Sequence, residues 1–227
     1  MRKGVRIIVL IASLAMIIAY FVPMWVIYLD APQYPEGLGM TIWLNKIGGD
    51  LAIINGLNHY IGMKLIVPDS IPELKLMPYL LAILIAGGLT VALTGRRWLF
   101  ATWVVLFLAL GVAGGMDFYS WEHDYGYNLD PHAAIKVPGM NYQPPFFGSK
   151  QLLNFTAYSF PDTGGWVIIS AGIIALCLLL YEFVFARRKK SRVLGMKSKT
   201  PDHFSILRNG MEIHQRAHQI KFSELET

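Results

Sequence analysis

Residues 76–118 read LMPYLLAILIAGGLTVALT, GRR and WLFATWVVLFLALGVAGGMDF, which is two long apolar runs joined by a short basic turn. About 20 helical residues cover the roughly 30 Å hydrocarbon core of a bilayer, and both runs reach that length. Similar runs occur on either side of this pair. The predicted membrane spans are therefore 7–29, 76–94, 98–118 and 165–185. A soluble helical bundle is disfavoured, because four such runs leave no polar face.

The four spans predict the fold class. They contain no Lys or Arg, and their only acidic residues lie at the ends, at Asp117 and Glu182. We expect an all-α membrane protein with its four transmembrane helices in residues 1–192 and a tail in residues 193–227.

The basic start of the chain also suits a cleaved signal peptide. The first apolar run is much longer than the 7–15 residues of a signal core, so we interpret it as a retained anchor helix.

The distribution of charge predicts the orientation of the spans. Lys and Arg are concentrated in the cytoplasmic segments of membrane proteins. Here they precede the first span, occupy the Gly95–Arg97 turn and follow the fourth span. The segments predicted inside, counted with Glu182, carry 15 Lys/Arg and 5 Asp/Glu, a net charge of +10. Those predicted outside, counted with Asp117, carry 5 and 10, a net charge of −5. We therefore place both termini and the Gly95–Arg97 turn in the cytoplasm, with the two long segments between the spans outside.

The basic excess has a second consequence, for the partners of the chain. It lies where a membrane protein keeps its cytoplasmic charge, so it indicates topology and contact with anionic lipid. Nucleic-acid binding is not predicted.

Two segments, 30–75 and 119–164, are predicted to lie outside the cell membrane. They are too long to be structureless in a compact protein, and the second is rich in aromatic residues, which is unlike a disordered segment. We expect them to form one small extracytoplasmic cap. Within the first segment we predict a short strand over 40–46 and a short helix through His59 and Met63.

His59 and Met63 form a candidate metal site. On a helix, residues four apart share a face, and imidazole with thioether suits copper, particularly Cu(I). Met40 and Met140 are further thioethers in the segments predicted outside. The alternative is structural: a hydrogen-bonded His59 and a packed Met63.

A second group of candidates surrounds the outer end of the third span. Asp117, Glu122, His123 and Asp124 are ionisable and close in sequence, so they are candidates for acid/base chemistry. This would suit a membrane-embedded enzyme acting on lipid or quinone at the outer leaflet. The alternative is a solvated rim at the membrane surface.

Several other functions lack their usual signatures. The six histidines all lie outside the predicted spans, and no C-x-x-C-H sequence occurs, so haem is not predicted. G-x-S-x-G, Walker and H-E-x-x-H motifs are absent too. The single cysteine, Cys177, excludes a disulfide within the chain. A small transporter would need a polar path between the helices, which the spans barely provide.

Several extramembranous segments resemble a known family. These segments are Leu29–Leu38, Asn45–Asp50, Ile54–Lys64, Leu129–Met140 and Lys150–Phe155. They are similar to the NosB-like family of small four-helix membrane proteins encoded in nitrous oxide reductase gene clusters. The resemblance covers the region from the first span to the fourth and leaves out the tail. It implies an inner-membrane accessory protein in denitrification, which supports a periplasmic copper enzyme by docking, copper handling or linkage to an electron supply. The family supplies no active-site residues to carry over.

Overall fold

The computed structural model describes residues 1–197, so the predicted tail beyond Lys197 lies outside the described residues. Residues Met1–Leu180 form one compact unit, which holds every site discussed below. The second unit begins at Tyr181, and its described part is the end of the last helix.

Four helices are long and apolar enough to cross a membrane. Helix α1 is followed directly by a 3₁₀ turn, and this pair makes the first candidate span. The other three are α3, α4 and α5. Their bounds are Lys3–Ala15 for α1, Met16–Tyr20 for the 3₁₀ turn, Glu73–Thr94 for α3, Arg97–Tyr127 for α4 and Thr163–Lys197 for α5.

The apolar helices pack closely around Gly88 of α3. Ser13 of α1 is fully buried, and its Oγ lies where a Cβ at position 88 would be. Trp103 of α4 also contacts this position, and its Nε1–H donates a 2.8 Å hydrogen bond to the carbonyl oxygen of Leu84. Small residues allow such close approach in lipid, where no hydrophobic drive brings helices together.

The all-α prediction is wrong, because the chain also forms a five-stranded antiparallel sheet. Its strands are β1 (Trp25–Ala31), β2 (Tyr34–Ile42), β3 (Ile47–Gly49), β4 (Gly148–Leu152) and β5 (Phe155–Pro161). The spatial order is β3-β2-β1-β5-β4. The pairing of β1 with β5 joins the end of the first predicted span to the second predicted extracytoplasmic segment.

The first predicted span was too long, and the reason lies around Pro23. The helical part ends at Tyr20, and residues 25–29 belong to β1. A residue before proline disfavours the helical region, so the helix stops ahead of Pro23. The sequence that follows, WVIYL, is rich in β-branched and aromatic residues, which fit a pleated, half-buried surface.

Two short elements were predicted in the first extracytoplasmic segment, a strand over 40–46 and a helix through His59 and Met63. The strand lies earlier, since β2 ends at Ile42. The helix, predicted through His59 and Met63, is confirmed only as far as His59, because α2 spans Leu51–Ile61. It ends at Gly62, whose φ of 82° is the left-handed conformation common after helices, so Met63 lies beyond the helix.

Helix α4 is longer than a membrane requires. Its 31 residues extend for about 46 Å, against a hydrocarbon core of about 30 Å. The predicted span ends at Phe118, and the last part of α4 continues beside the sheet. There Phe118, Trp121 and Tyr125 pack against a buried cluster that includes Ile27 of β1. Glu122 therefore lies beyond the predicted span 98–118, in the part of α4 that lines a cavity beside the sheet.

Candidate functional site

A cavity of about 240 Å³ lies between the sheet, α2 and the outer end of α4. Alternate residues of β1 form one wall, because side chains two apart on a strand point to the same face. These are Ile27, Leu29 and Ala31. An apolar cavity of about 150 Å³ accepts benzene, so this one has room for a small ring-bearing molecule.

The cavity is partly open, and three apolar residues mark its mouth. Tyr60, Ile135 and Leu153 line the cavity and are also exposed at the surface. Leu153 has a φ of 56°, a conformation unfavourable for a residue with a side chain, in the turn between β4 and β5. Two-residue hairpin turns require a positive φ, so this angle is explained by the tight turn between β4 and β5.

The end of α4 supplies the polar part of the wall. Trp121, Glu122 and Tyr125 line the cavity. Together with Phe118 they are spaced at i, i+3, i+4 and i+7, which places them on one face of a helix. The indole of Trp121 lies against Tyr125, with ring centroids 4.5 Å apart, so the face is ordered by packing of its own aromatic rings.

Glu122 is the unusual residue of this wall. It is 0% exposed, and neither carboxyl oxygen has a hydrogen-bond partner among the residues that the structure describes. Burial disfavours the charged form and raises the pKa of the Glu122 carboxyl from its ordinary value of 4.5 to about 8. At neutral pH the group is therefore protonated and offers an O–H donor.

Two more lining residues have buried polar atoms without a partner in the described part of the chain. They are the indole N–H of Trp121 and the hydroxyl of Tyr142. Buried polar groups are nearly always hydrogen-bonded, so three exceptions in the lining of one cavity indicate a place for a ligand or for ordered water.

Tyr142 is held against α4 by its backbone. Its amide donates a 3.0 Å hydrogen bond to the carbonyl oxygen of Gly126, one of the last carbonyls of the helix, which have no partner within it. Gly126 is buried, and a Cβ there would clash with the backbone of Gln143. The Nζ of Lys150 donates a 3.0 Å hydrogen bond to the carbonyl oxygen of Gln143 and so links this segment to β4.

Helix α2 and the segment after it form another part of the cavity wall. The side chain of Asn55 bonds both backbone groups of Ile66, accepting from the amide at 2.7 Å and donating to the carbonyl at 2.9 Å. The Asp130 amide donates a 2.8 Å hydrogen bond to the carbonyl oxygen of Gly62, and the Ile135 amide donates one of 2.9 Å to that of Tyr60. These contacts connect the loop after α4 to the end of α2.

The four residues predicted as a copper site are divided by the fold. Met40 of β2 and Met63 line the cavity. His59 is exposed on α2, its ring edge-on to that of Tyr60 at a centroid distance of 6.0 Å. Met140 lies in the loop after α4 and does not line the cavity. Within the described residues, no three His, Cys, Asp or Glu side chains form a group that could hold a metal ion. Copper binding remains a prediction.

The predicted acid/base group is divided too. Glu122 alone lines the cavity, and Asp117 and His123 are exposed. The ring of His123 stacks on Tyr127 at a centroid distance of 4.2 Å. Asp124 forms a 2.6 Å ion pair with Lys64, and the hydrogen bond from Lys64 lowers the pKa of the Asp124 carboxyl. Successive helical residues point in different directions, so adjacency in the sequence does not bring these groups together.

The sequence also contained residues of this site that were not predicted. The i, i+3, i+4, i+7 spacing of Phe118, Trp121, Glu122 and Tyr125 is a visible signal for a packed helical face. Tyr142 has no comparable signal, since its position depends on a loop crossing α4 at Gly126.

No protein-family model matches this chain, and a search of curated proteins finds no match.

Proposed function

We propose that this protein is a multi-pass protein of a bacterial inner membrane that binds a small, largely apolar molecule on the periplasmic side. The observation that carries this function is the cavity against Glu122, with its apolar walls and its few unpaired polar groups. Ligand sites commonly have this composition. The four apolar helices would hold the binding module at the membrane surface.

The orientation is supported by contacts at the end of the helices remote from the sheet. The N-terminal ammonium group donates a 2.8 Å hydrogen bond to the carbonyl oxygen of Gly95, and Arg6 Nε donates one of 2.7 Å to that of Ala92. The basic start of the chain and the basic turn after α3 therefore lie together. The positive-inside rule favours the cytoplasm for such an end, which supports an N-terminus inside and a sheet in the periplasm. The basic residues that follow the fourth span favour the same side for the C-terminus.

Binding suits this wall better than acid/base catalysis. Glu122 is the one carboxyl among the lining residues, and no His, Lys or Arg of the described chain lines the cavity with it. A carboxyl kept neutral by burial can donate a hydrogen bond to a ligand. An enzyme acting on lipid or quinone would have to use this same carboxyl, without Asp117, His123 or Asp124.

The test is native mass spectrometry of the full-length protein purified from its own membranes. We expect one small-molecule adduct on the wild type. Ala31→Phe, which fills the cavity, should remove the adduct. Ala52→Phe, the same change at an exposed position of α2, should keep it. A wild-type protein without an adduct, or an adduct that persists in Ala31→Phe, would contradict the function.

A second candidate function is the accessory role that the resemblance implies, support of a periplasmic copper enzyme such as nitrous oxide reductase. The observation that favours it is the presence of two soft thioethers, Met40 and Met63, among the residues that line the cavity. Competition with a Cu(I) chelator would test it. We expect binding that weakens in Met63→Ala and in Met40→Ala, with His59→Ala as the comparison. No Cu(I) binding by the wild type would remove copper handling and leave docking as the accessory role.

A further inference from the structure

We infer that the cavity selects a neutral molecule that presents an acceptor oxygen of the carbonyl class to the wall of Trp121, Glu122 and Tyr142. This inference rests on the proposed function, because it specifies the chemistry of the molecule that the cavity binds. A substituted quinone belongs to this class.

The first argument is that the unpaired polar groups of this wall are hydrogen-bond donors. An indole N–H can only donate, and a protonated carboxyl and a phenol each carry one O–H donor. The polar atoms of all three side chains are shielded from bulk water and unpaired within the described residues. An acceptor oxygen is the kind of partner that each of these donors lacks, and the apolar β1 wall would cover the rest of the molecule.

The second argument concerns charge. No Lys, Arg or His among the described residues lines the cavity, so a bound anion would be buried without a counter-ion. An organic cation would find aromatic rings at Trp121 and Tyr125 and an ionisable carboxyl at Glu122. It would still leave the indole N–H of Trp121 and the hydroxyl of Tyr142 unpaired. The neutral acceptor is therefore favoured over either ion.

Three probes of similar size separate these possibilities. Duroquinone is neutral and has two carbonyl oxygens, and its full methylation prevents addition of the thiol of Cys177 to the ring. Durene has the same methylated ring without the oxygens. Phenyltrimethylammonium is a cation. Calorimetric titration of the full-length protein in detergent should show duroquinone binding at least tenfold more tightly than durene, with the cation weaker than both.

Two variants at the same position locate the preference. Glu122→Leu removes the donor and should reduce the ratio of duroquinone to durene affinity to below threefold. Glu122→Gln keeps N–H donors and should restore most of the ratio. Ala31→Phe should abolish binding of both neutral probes, and Ala52→Phe serves as its matched control.

Each way in which this inference could be wrong gives a different experimental result. Equal affinity for duroquinone and durene would overturn the carbonyl inference and leave an apolar binding site. Tighter binding of the cation, lost in Glu122→Gln, would overturn it in favour of a cation site. No binding of duroquinone would also overturn it, and the native mass spectra would then decide separately whether the cavity holds any ligand.

Discussion

The amide of Tyr142 donates a hydrogen bond to the carbonyl oxygen of Gly126, at 3.0 Å, across a point where α4 has no side chain. This contact brings a loop residue onto the cavity wall beside Glu122. Position 126 requires glycine because a side chain would not fit against the backbone of Gln143, and not because the backbone there needs glycine's conformational freedom.

Gly126→Ala should therefore displace the segment that carries Tyr142. The added Cβ would meet the backbone of Gln143, which cannot move aside as a flexible side chain can. We expect a loss of about 1–3 kcal/mol in the free energy of unfolding, the usual cost of overpacking, together with loss of cavity binding. Gly111→Ala, in the same helix and with open space around it, should leave binding unchanged and should not lower the free energy of unfolding, since alanine favours a helix more than glycine does. Calorimetry and thermal unfolding in detergent measure both.

Gly88 should show the same sensitivity within the apolar helices. A Cβ there would clash with Ser13 Oγ and lie 2.8 Å from the ring of Trp103, so we expect Gly88→Ala to lower the melting temperature. Adding Ser13→Ala removes the nearest atom and should recover part of the loss. A double variant no more stable than Gly88→Ala alone would show that this contact does not control the packing of α1 on α3. Circular dichroism during heating makes the comparison.

Glu122 should make stability depend on pH. Its pKa in the folded protein is about 8, above the ordinary 4.5, so the folded state binds more protons than the unfolded state between these values. The free energy of unfolding must then fall as pH rises from about 4.5 to about 8 and level off above that. We expect Glu122→Gln to lose this slope, which melting temperatures from pH 5 to pH 9 would reveal. Parallel curves for the two proteins would show that Glu122 ionises normally.

His123 and Asp124, neighbours of Glu122 in the sequence, should be dispensable for binding. Asp124 pairs with Lys64 at the surface, and exposed ion pairs contribute little. His123 is exposed and stacks on Tyr127. We expect His123→Ala and Asp124→Asn to bind duroquinone as the wild type does, within twofold. A tenfold loss of duroquinone affinity in either variant would show that His123 or Asp124 contributes to binding.

The helices were predictable and the sheet was not, for a physical reason. Apolar runs of about 20 residues have few other uses, so α3 and α4 followed directly from the sequence. Trp25–Ala31 continues the first apolar run, and a short apolar run suits a helix or a strand equally well. Its strand structure depends on pairing with Phe155–Pro161, about 130 residues away, which local sequence does not show.

The site was predictable only in part. Glu122 belonged to a predicted ionisable group, and Met40 and Met63 to another, yet nothing in the sequence placed them around one cavity. The His59 and Met63 pair assumed a helix through both residues, and Gly62 ends the helix between them. Tyr142 depends on the crossing at Gly126, a contact between segments separated by a loop.

The most direct test is a crystal structure of the full-length protein with duroquinone. We expect the ring in the cavity between β1 and α4, with one carbonyl oxygen within about 3.2 Å of a donor on Trp121, Glu122 or Tyr142. A quinone bound elsewhere, or in the cavity with both oxygens turned away from all three donors, would contradict it.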